Sequence, residues 1–135
     1  MITPHRVISP ESMSPSPGFA HAVVPADGHT VYIAGQIAAD PTGAVIGDTF
    51  AEQYDVALGN VVEALSHAGG DPDHIVSLVV YATDVQAYRH DLRGVGAAHR
   101  KHLKRHFPAM ALLGTTGLVE PDAMVEIIAT AVVPD

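Results

Sequence analysis

The chain has 135 residues and a hydrophobic fraction of 47%, which fits one globular domain over residues 1–135. Its net charge of -8 argues against a general nucleic-acid binder, and no run of about 18 apolar residues is present to span a membrane. There is no cysteine, which excludes disulfides and thiol chemistry, and no signal-peptide pattern, so we expect a cytoplasmic protein.

Two strands are predicted in the first third of the chain, after a loop rich in Pro and Ser at residues 9–18. They cover residues 19–24 and 30–34. The Asp27-Gly28 pair between them is typical of a tight turn and predicts a β-hairpin.

A helix is predicted from Phe50 to Ala68. Thr49 and Glu52 form a Thr-x-x-Glu capping box, in which the hydroxyl caps a free backbone amide and the carboxylate reaches back. Apolar side chains recur at helical spacing through the segment. Gly69-Gly70 ends it, because glycine adopts the left-handed conformation at a helix end without penalty.

The next strand covers residues 75–82, a nearly continuous apolar run. A second helix is predicted to begin after Asp84 and to continue as one stripe to His106. His99, His102 and His106 stand at i, i+3 and i+7 on that stripe, and the first two have a spacing that allows metal binding in principle. No further ligand is obviously placed to complete a shell, so we expect packing imidazoles and neither a metal nor a cofactor.

The chain closes with two predicted strands at residues 110–116 and 123–133. Strands therefore come before, between and after two helices. This order indicates an α+β fold in which two helices pack on one face of a mixed β-sheet.

The basic side chains are concentrated in one segment. Six of the seven Lys and Arg residues fall within residues 89–105. Two interpretations remain open, namely a solvated helix face that offsets the acidic remainder and a patch for a ligand or partner.

Short motifs recur along the whole chain in a fixed order. They are Gly35-Gln36, Asp40-Pro41 with Gly43, Gln53, Asn60, Ala68-Gly69, Asp84, Phe107-Pro108-Ala109 and Val125-Glu126-Ile127. In this order and spacing they resemble the Rid/YjgF family, small enamine/imine deaminases that are also called the L-PSP endoribonuclease family. The resemblance implies a chorismate-mutase-like fold, a homotrimeric barrel, and small-molecule pockets in the clefts between subunits, each built from two chains.

The resemblance also implies which positions line the pocket, and most of them carry apolar side chains here. The family arginine that grips the substrate carboxylate falls on Met110, the cysteine two residues later on Leu112, the pocket serine on Ala34, the N-terminal tyrosine near Phe19, and the helix asparagine on Leu92 or Arg93. Gly35 and Glu126 keep the family residues.

The loss of the arginine bears most directly on the substrate. Met110 offers an adaptable apolar surface in place of a permanently charged, bidentate fork. A 2-iminocarboxylate would place its charge against an apolar wall, which is costly without a counter-ion. We therefore expect a neutral, more apolar ligand, with His21 as the nearest polar replacement. The alternative is a pocket that has lost its function and filled with core-like side chains.

Glu126 is the expected catalytic residue. In the family the matching glutamate positions or activates the hydrolytic water, which is general acid–base work. The alternative is a structural carboxylate that pairs with backbone amides or with a base of a neighbouring subunit.

Three functions compete on this basis. The first is hydrolysis of an imine, an enamine or a related C–N compound with altered specificity. The second is a non-catalytic trimer that binds a ligand or a partner. The third is an endoribonuclease, which the acidic charge and the scarcity of aromatic side chains for base stacking disfavour.

Overall fold

The structure is a computed structural model, and it describes residues 2–135. Within this range the strands are β1 (Arg6–Ile8), β2 (Ala22–Val24), β3 (Gly28–Gln36), β4 (Ile75–Ala82), β5 (Ala109–Gly114) and β6 (Val125–Pro134). The α-helices are α1 (Phe50–His67), α2 (Val85–His90) and α3 (Leu92–Leu103), and a short 3₁₀ turn covers Pro72–His74.

The main sheet is mixed, with strand order β3-β6-β4-β5. β6 is antiparallel to both of its neighbours, whereas β5 runs parallel to β4 along one edge. β1 and β2 pair separately as a small antiparallel ribbon. Helices α1 and α3 cover one face of the main sheet and share its hydrophobic core. The predicted α+β fold, with a mixed sheet and two main helices, is confirmed.

The register of β4 decides which side chains share a face of the sheet. Val80 lies opposite both Leu112 and Ile127, and all three belong to or pack against the core under the helices. We call this side the helix face. Glu126 lies opposite Tyr81, and each of these residues is next in sequence to Ile127 or Val80. Because successive side chains of a strand alternate between faces, Glu126 points to the other side of the sheet. We call that side, which no helix covers, the open face.

Helix α1 forms where its sequence predicts it. The Thr49 hydroxyl accepts a hydrogen bond from the Glu52 amide at 3.2 Å. The Glu52 carboxylate reaches back to the amide of Asp48 at 2.8 Å, one residue earlier than a standard capping box. Gly69 ends the helix with a φ of +86°, the left-handed conformation that glycine tolerates.

The single helix predicted from Asp84 to His106 is wrong. Asp91 interrupts it, because its carboxylate accepts a hydrogen bond from the Gly94 amide at 3.0 Å and starts α3 as a new helix. A side chain at Gly94 would collide with this carboxylate. Lys104, with a φ of +56°, ends α3 before His106 is reached.

The predicted hairpin between residues 19–24 and 30–34 is also wrong. β2 pairs with β1, and β3 pairs with β6 from the other end of the chain. Gly28 is required by this second pairing, because a Cβ there would collide with the backbone carbonyl of Val133. The close approach of two strands, and not a turn, explains this glycine.

Candidate functional site

A cavity of about 590 Å³ opens beside the edge strand β5. It lies between β5, the three α-helices and the loop that precedes β2. The residues that line it are Pro17, Gly18, Phe19, Tyr54, Tyr88, Leu92, Val95, Gly96, His99, Arg100, Phe107, Met110 and Leu112. Most of these side chains are apolar, so the cavity favours a ligand with an apolar body.

The Phe107-Pro108 motif builds one wall of the cavity. The carbonyl of Pro108 accepts a hydrogen bond from the Ala20 amide at 3.0 Å, which holds Phe19 next to β5. The ring of Phe107 stacks on His99 with centroids 4.9 Å apart and an angle of 6° between the planes. The His99 Nε2–H donates to the carbonyl of His106 at 2.8 Å, and burial lowers the pKa of His99, so the ring is neutral near pH 7.

Four of the sequence-predicted ligand residues meet at this cavity, namely Phe19, Leu92, Met110 and Leu112. Met110 and Leu112 reach it because both lie on the helix face of β5. His21 does not line it. Its Nε2–H donates to the carbonyl of Ser14 at 2.8 Å, and its ring meets the edge of the Phe19 ring at 5.5 Å between centroids.

The remaining predicted residues lie elsewhere in the chain. Glu126 is on the open face, and Ala34 and Gly35 lie in the register shift of β3 between Ile33 and Gln36. Gly35 lies against the Glu126 side chain, and a Cβ at Gly35 would collide with the carboxylate. Glu126 is half-buried here and is not enclosed in an apolar core. One chain therefore presents the cavity and the carboxylate on opposite faces of its sheet.

Three polar side chains of the cavity were not predicted as site residues, namely Tyr54, Tyr88 and Arg100. Tyr54 lies in the apolar stripe of α1, and Arg100 lies in the basic segment at residues 89–105. Tyr54 is fully buried, its hydroxyl has no hydrogen-bond partner among residues 2–135, and burial raises its pKa. The sequence contains one hint that Arg100 lies at a cavity. Gly96 stands four residues earlier on the same face of α3, and because it has no side chain it leaves space beside Arg100.

The two basic residues that follow Arg100 bind a carboxylate on helix α1. Lys101 and His102 both bind the carboxylate of Asp55, at 3.1 and 2.6 Å. Desolvation alone would raise the pKa of Asp55, but these two hydrogen bonds outweigh it and lower the pKa. The basic segment therefore ties α3 to α1 and leaves Arg100 at the cavity.

The predicted helical stripe of histidines does not gather into one site. His106 donates from Nε2 to the carbonyl of Ile75 at 2.6 Å, whereas His102 faces Asp55. Within residues 2–135, no three His, Asp or Glu side chains are grouped so that they could hold a metal ion. The helices of the same range are all too short or too polar to cross a lipid bilayer.

Comparisons with known proteins show which family this chain resembles. The family model described as Endoribonuclease L-PSP matches residues 10–133. A human 2-iminobutanoate/2-iminopropanoate deaminase is 33% identical over 104 residues, which are 76% of this chain and 72% of the human protein.

Solved structures of similar proteins extend the match to the whole fold. The Yersinia pestis protein YyfB of the conserved Rid family, whose function is unknown, superposes with a TM-score of 0.86 at 34% identity, covering 96% of this chain and 98% of that one. A member of the YjgF/YER057c/UK114 family from Mycobacterium tuberculosis gives a TM-score of 0.65 at 28% identity, covering 96% of this chain and 99% of that one.

Proposed function

The chain belongs to the Endoribonuclease L-PSP family, also called the Rid/YjgF family, and we propose that it hydrolyses an imine or enamine with an apolar body in clefts between copies of itself. The similarity to a human protein named as a 2-iminobutanoate/2-iminopropanoate deaminase supports the reaction class. The apolar lining of the cavity supports the nature of the substrate body.

The observation that carries the proposal is the separation of the cavity from Glu126. Met110 and Leu112 lie on the helix face, and Glu126 lies on the open face two strands away from β5. If both act on one substrate, the carboxylate must come from a second copy of the chain. A closed ring of copies, such as a homotrimer, repeats this contact at every interface.

The open face has the character of a surface that a second copy covers. Tyr32 is 82% exposed on β3, Leu113 is 46% exposed on β5, and Ile128 is 38% exposed on β6. Three large apolar side chains on one uncovered sheet face are typical of an interface. Burial of this face would also place Glu126 at the rim of the contact.

Hydrolysis needs one water and one group that moves protons. Water adds to the carbon of the C=N bond while Glu126 takes one of its protons, and the nitrogen acquires a proton as the C=N double bond becomes single. The carbinolamine then collapses: its hydroxyl gives a proton to the Glu126 carboxylate, the amine nitrogen takes up a second proton, and it leaves as ammonia while C=O forms. The balance is one imine and one water for one carbonyl compound and one ammonia, so Glu126 acts as general base and general acid in turn.

Ammonia release tests the reaction, with 2-imino acids generated in situ by an amino-acid oxidase and with a neutral enamine measured alongside them. We expect faster release with imines from leucine or phenylalanine than with the imine from alanine, because the cavity lining is apolar. Glu126→Gln should abolish the acceleration, whereas Glu120→Gln, at an exposed carboxylate in the loop before β6, should not.

Two results would contradict the proposal. Equal rates in Glu126→Gln and the unchanged protein would exclude Glu126 from the chemistry. No acceleration with any imine or enamine, together with saturable binding of apolar ligands, would make the protein a non-catalytic binder.

A further inference from the structure

Aromatic rings are concentrated around the cavity beside β5. The chain contains only three Phe and four Tyr residues and no Trp, and two of the phenylalanines and two of the tyrosines line this cavity. Tyr54 is fully buried, so a ligand cannot reach it. The residues Phe19, Tyr88 and Phe107 keep accessible surface. A chain that is poor in aromatic residues therefore presents three reachable rings to one cavity.

The three reachable rings come from separate elements of the fold. Phe19 lies in the loop before β2, Tyr88 lies in α2, and Phe107 lies in the loop between α3 and β5. A backbone hydrogen bond from the residue after Phe19 holds that loop next to β5. The ring of Tyr88 meets Phe50 edge to face, with centroids 6.0 Å apart and an angle of 74° between the planes. The rings are thus positioned before a ligand arrives, which lowers the entropic cost of binding.

Core packing does not account for the rings of Phe19 and Phe107. Neither residue belongs to the hydrophobic core or packs against it. Phe107 is 38% exposed although it is a large apolar side chain. A ligand that covers these two rings would remove apolar surface from water, which is favourable.

Phe107 has one face covered and one face available for stacking. His99 covers the first face, with the two rings almost parallel and their centroids 4.9 Å apart. His99 is itself fixed by its hydrogen bond to the carbonyl of His106. No second ring stacks on Phe107 in the part of the chain that the structure describes. Because aromatic pairs gain free energy beyond the burial of their area, a further ring suits this face better than an alkyl group of similar size.

We propose that the cavity selects a ligand that carries an aryl group, and that Phe107 is the specificity-determining residue. The aryl group stacks on the available face of Phe107, and Phe19 and Tyr88 close around its edge. The apolar body expected for the ligand is thereby a planar ring and not a branched alkyl chain. This inference rests on the proposed function for its choice of cavity, but it concerns binding and requires no turnover.

Uncharged probes in matched pairs test the proposal by calorimetry on the intact oligomer. The pairs are benzamide with cyclohexanecarboxamide and phenylacetamide with cyclohexylacetamide, which differ only in whether the six-membered ring is aromatic. The saturated ring has at least as much apolar area, so burial alone predicts equal or tighter binding of the cyclohexyl probe. We expect the aryl probe of at least one pair to bind about three- to tenfold more tightly than its partner.

Substitutions in the cavity wall locate the origin of this preference. Phe107→Leu keeps an apolar side chain but removes the ring, so it should erase the preference, whereas Phe107→Tyr should retain it. Leu92→Ile, at another exposed apolar residue of the cavity, is the control and should also retain it. Phe19→Leu checks the opposite wall independently and should reduce the preference. Urea unfolding curves establish that each variant folds.

Three results would overturn the proposal: cyclohexyl probes that bind as tightly as the aryl probes, a preference that survives Phe107→Leu, or no binding of any probe. An aryl preference that depends on Phe107, without hydrolysis of any imine, would support the proposal and refute the proposed reaction. Hydrolysis with equal kcat/KM for the imines from phenylalanine and cyclohexylalanine would support the reaction and refute the aryl selection.

Discussion

The carboxylate of Glu126 occupies the space that a side chain at Gly35 would need. Neither residue is a neighbour of the other in sequence, and the contact exists because β3 and β6 pair across a register shift between Ile33 and Gln36. The absence of a side chain at Gly35 therefore leaves the space that the Glu126 carboxylate occupies. Glu126 is the one acidic residue of β6.

Gly35→Ala is expected to displace Glu126 and to lower hydrolysis strongly, with a loss of unfolding free energy of about 1 kcal/mol or less, because the clashing group is the end of a flexible side chain. Gly117→Ala is the control, because a Cβ there meets no atom within 4 Å. In a Glu126→Ala background the stability cost of Gly35→Ala should shrink, since the clashing group is gone. An unchanged cost in that background, measured by urea unfolding, would show that the carboxylate is not what excludes a side chain.

Mixed oligomers test whether cavity and carboxylate come from different chains. Leu112→Trp fills the cavity and Glu126→Gln removes the carboxylate, so each pure oligomer should be inactive. Refolded together in equal amounts, the two variants should regain about a quarter of the activity, because that share of contacts in a ring joins an intact cavity to an intact carboxylate. Unfolding curves of Leu112→Trp check that it folds. Absence of any recovery from folded, mixed oligomers would contradict a shared site.

Tyr54→Phe should stabilise the ligand-free protein by about 1 kcal/mol, because it removes a buried hydroxyl that has no hydrogen-bond partner. Tyr88→Phe, on a half-buried ring of the same cavity, serves as the control. The measurement is urea unfolding at fixed protein concentration. A loss of stability in Tyr54→Phe that Tyr88→Phe does not share would mean that the hydroxyl is already satisfied.

His106 makes the fold sensitive to mild acid. Burial lowers the pKa of His106 below its ordinary value of 6.5, against the opposing effect of its hydrogen bond to Ile75. The unfolded chain therefore binds this proton at higher pH than the folded chain does. The stabilisation is complete above about pH 6.5 and is lost as the pH falls below it, toward the folded-state pKa.

The variant His106→Gln keeps a side-chain donor but no longer titrates in this range. Its unfolding free energy should fall less steeply than that of the unchanged protein between pH 7.5 and 5. His67→Gln, at an exposed position near the end of α1, is the comparison. Equal slopes for His106→Gln and the unchanged protein would show that His106 is not the group responsible.

Local signals in the sequence were sufficient for the elements that are stabilised locally. Helix α1 carries its own cap at Thr49 and its own stop at Gly69, and β4 is a continuous apolar run. Strand pairing is not local, and for this reason the hairpin prediction was wrong. The partner of β3, strand β6, lies about 100 residues further along the chain. The need for glycine at position 28 becomes visible only when the backbone of Val133 lies next to it.

The same limit applies to the site. The family positions identified Met110 and Leu112 as cavity residues, but the single-chain sequence could not place Glu126 on the opposite face. That placement depends on the register that sets Val80 opposite Leu112 and Tyr81 opposite Glu126. Tyr54 and Arg100 were missed because their proximity to the cavity depends on how α1 and α3 pack together.

The parallel pairing of β4 with β5 also determines at which stage of folding the cavity forms. Parallel strands need a long crossover, here residues 83–108, and such long-range pairings form slowly during folding. The walls, which extend from Pro17 to Leu112 in sequence, are therefore complete only in the native chain. A ligand of the cavity cannot bind partly folded chains, so it shifts the folding equilibrium toward the native state by mass action. A higher concentration of the ligand in a cell would then raise the folded fraction of the protein, whether or not the ligand is ever turned over.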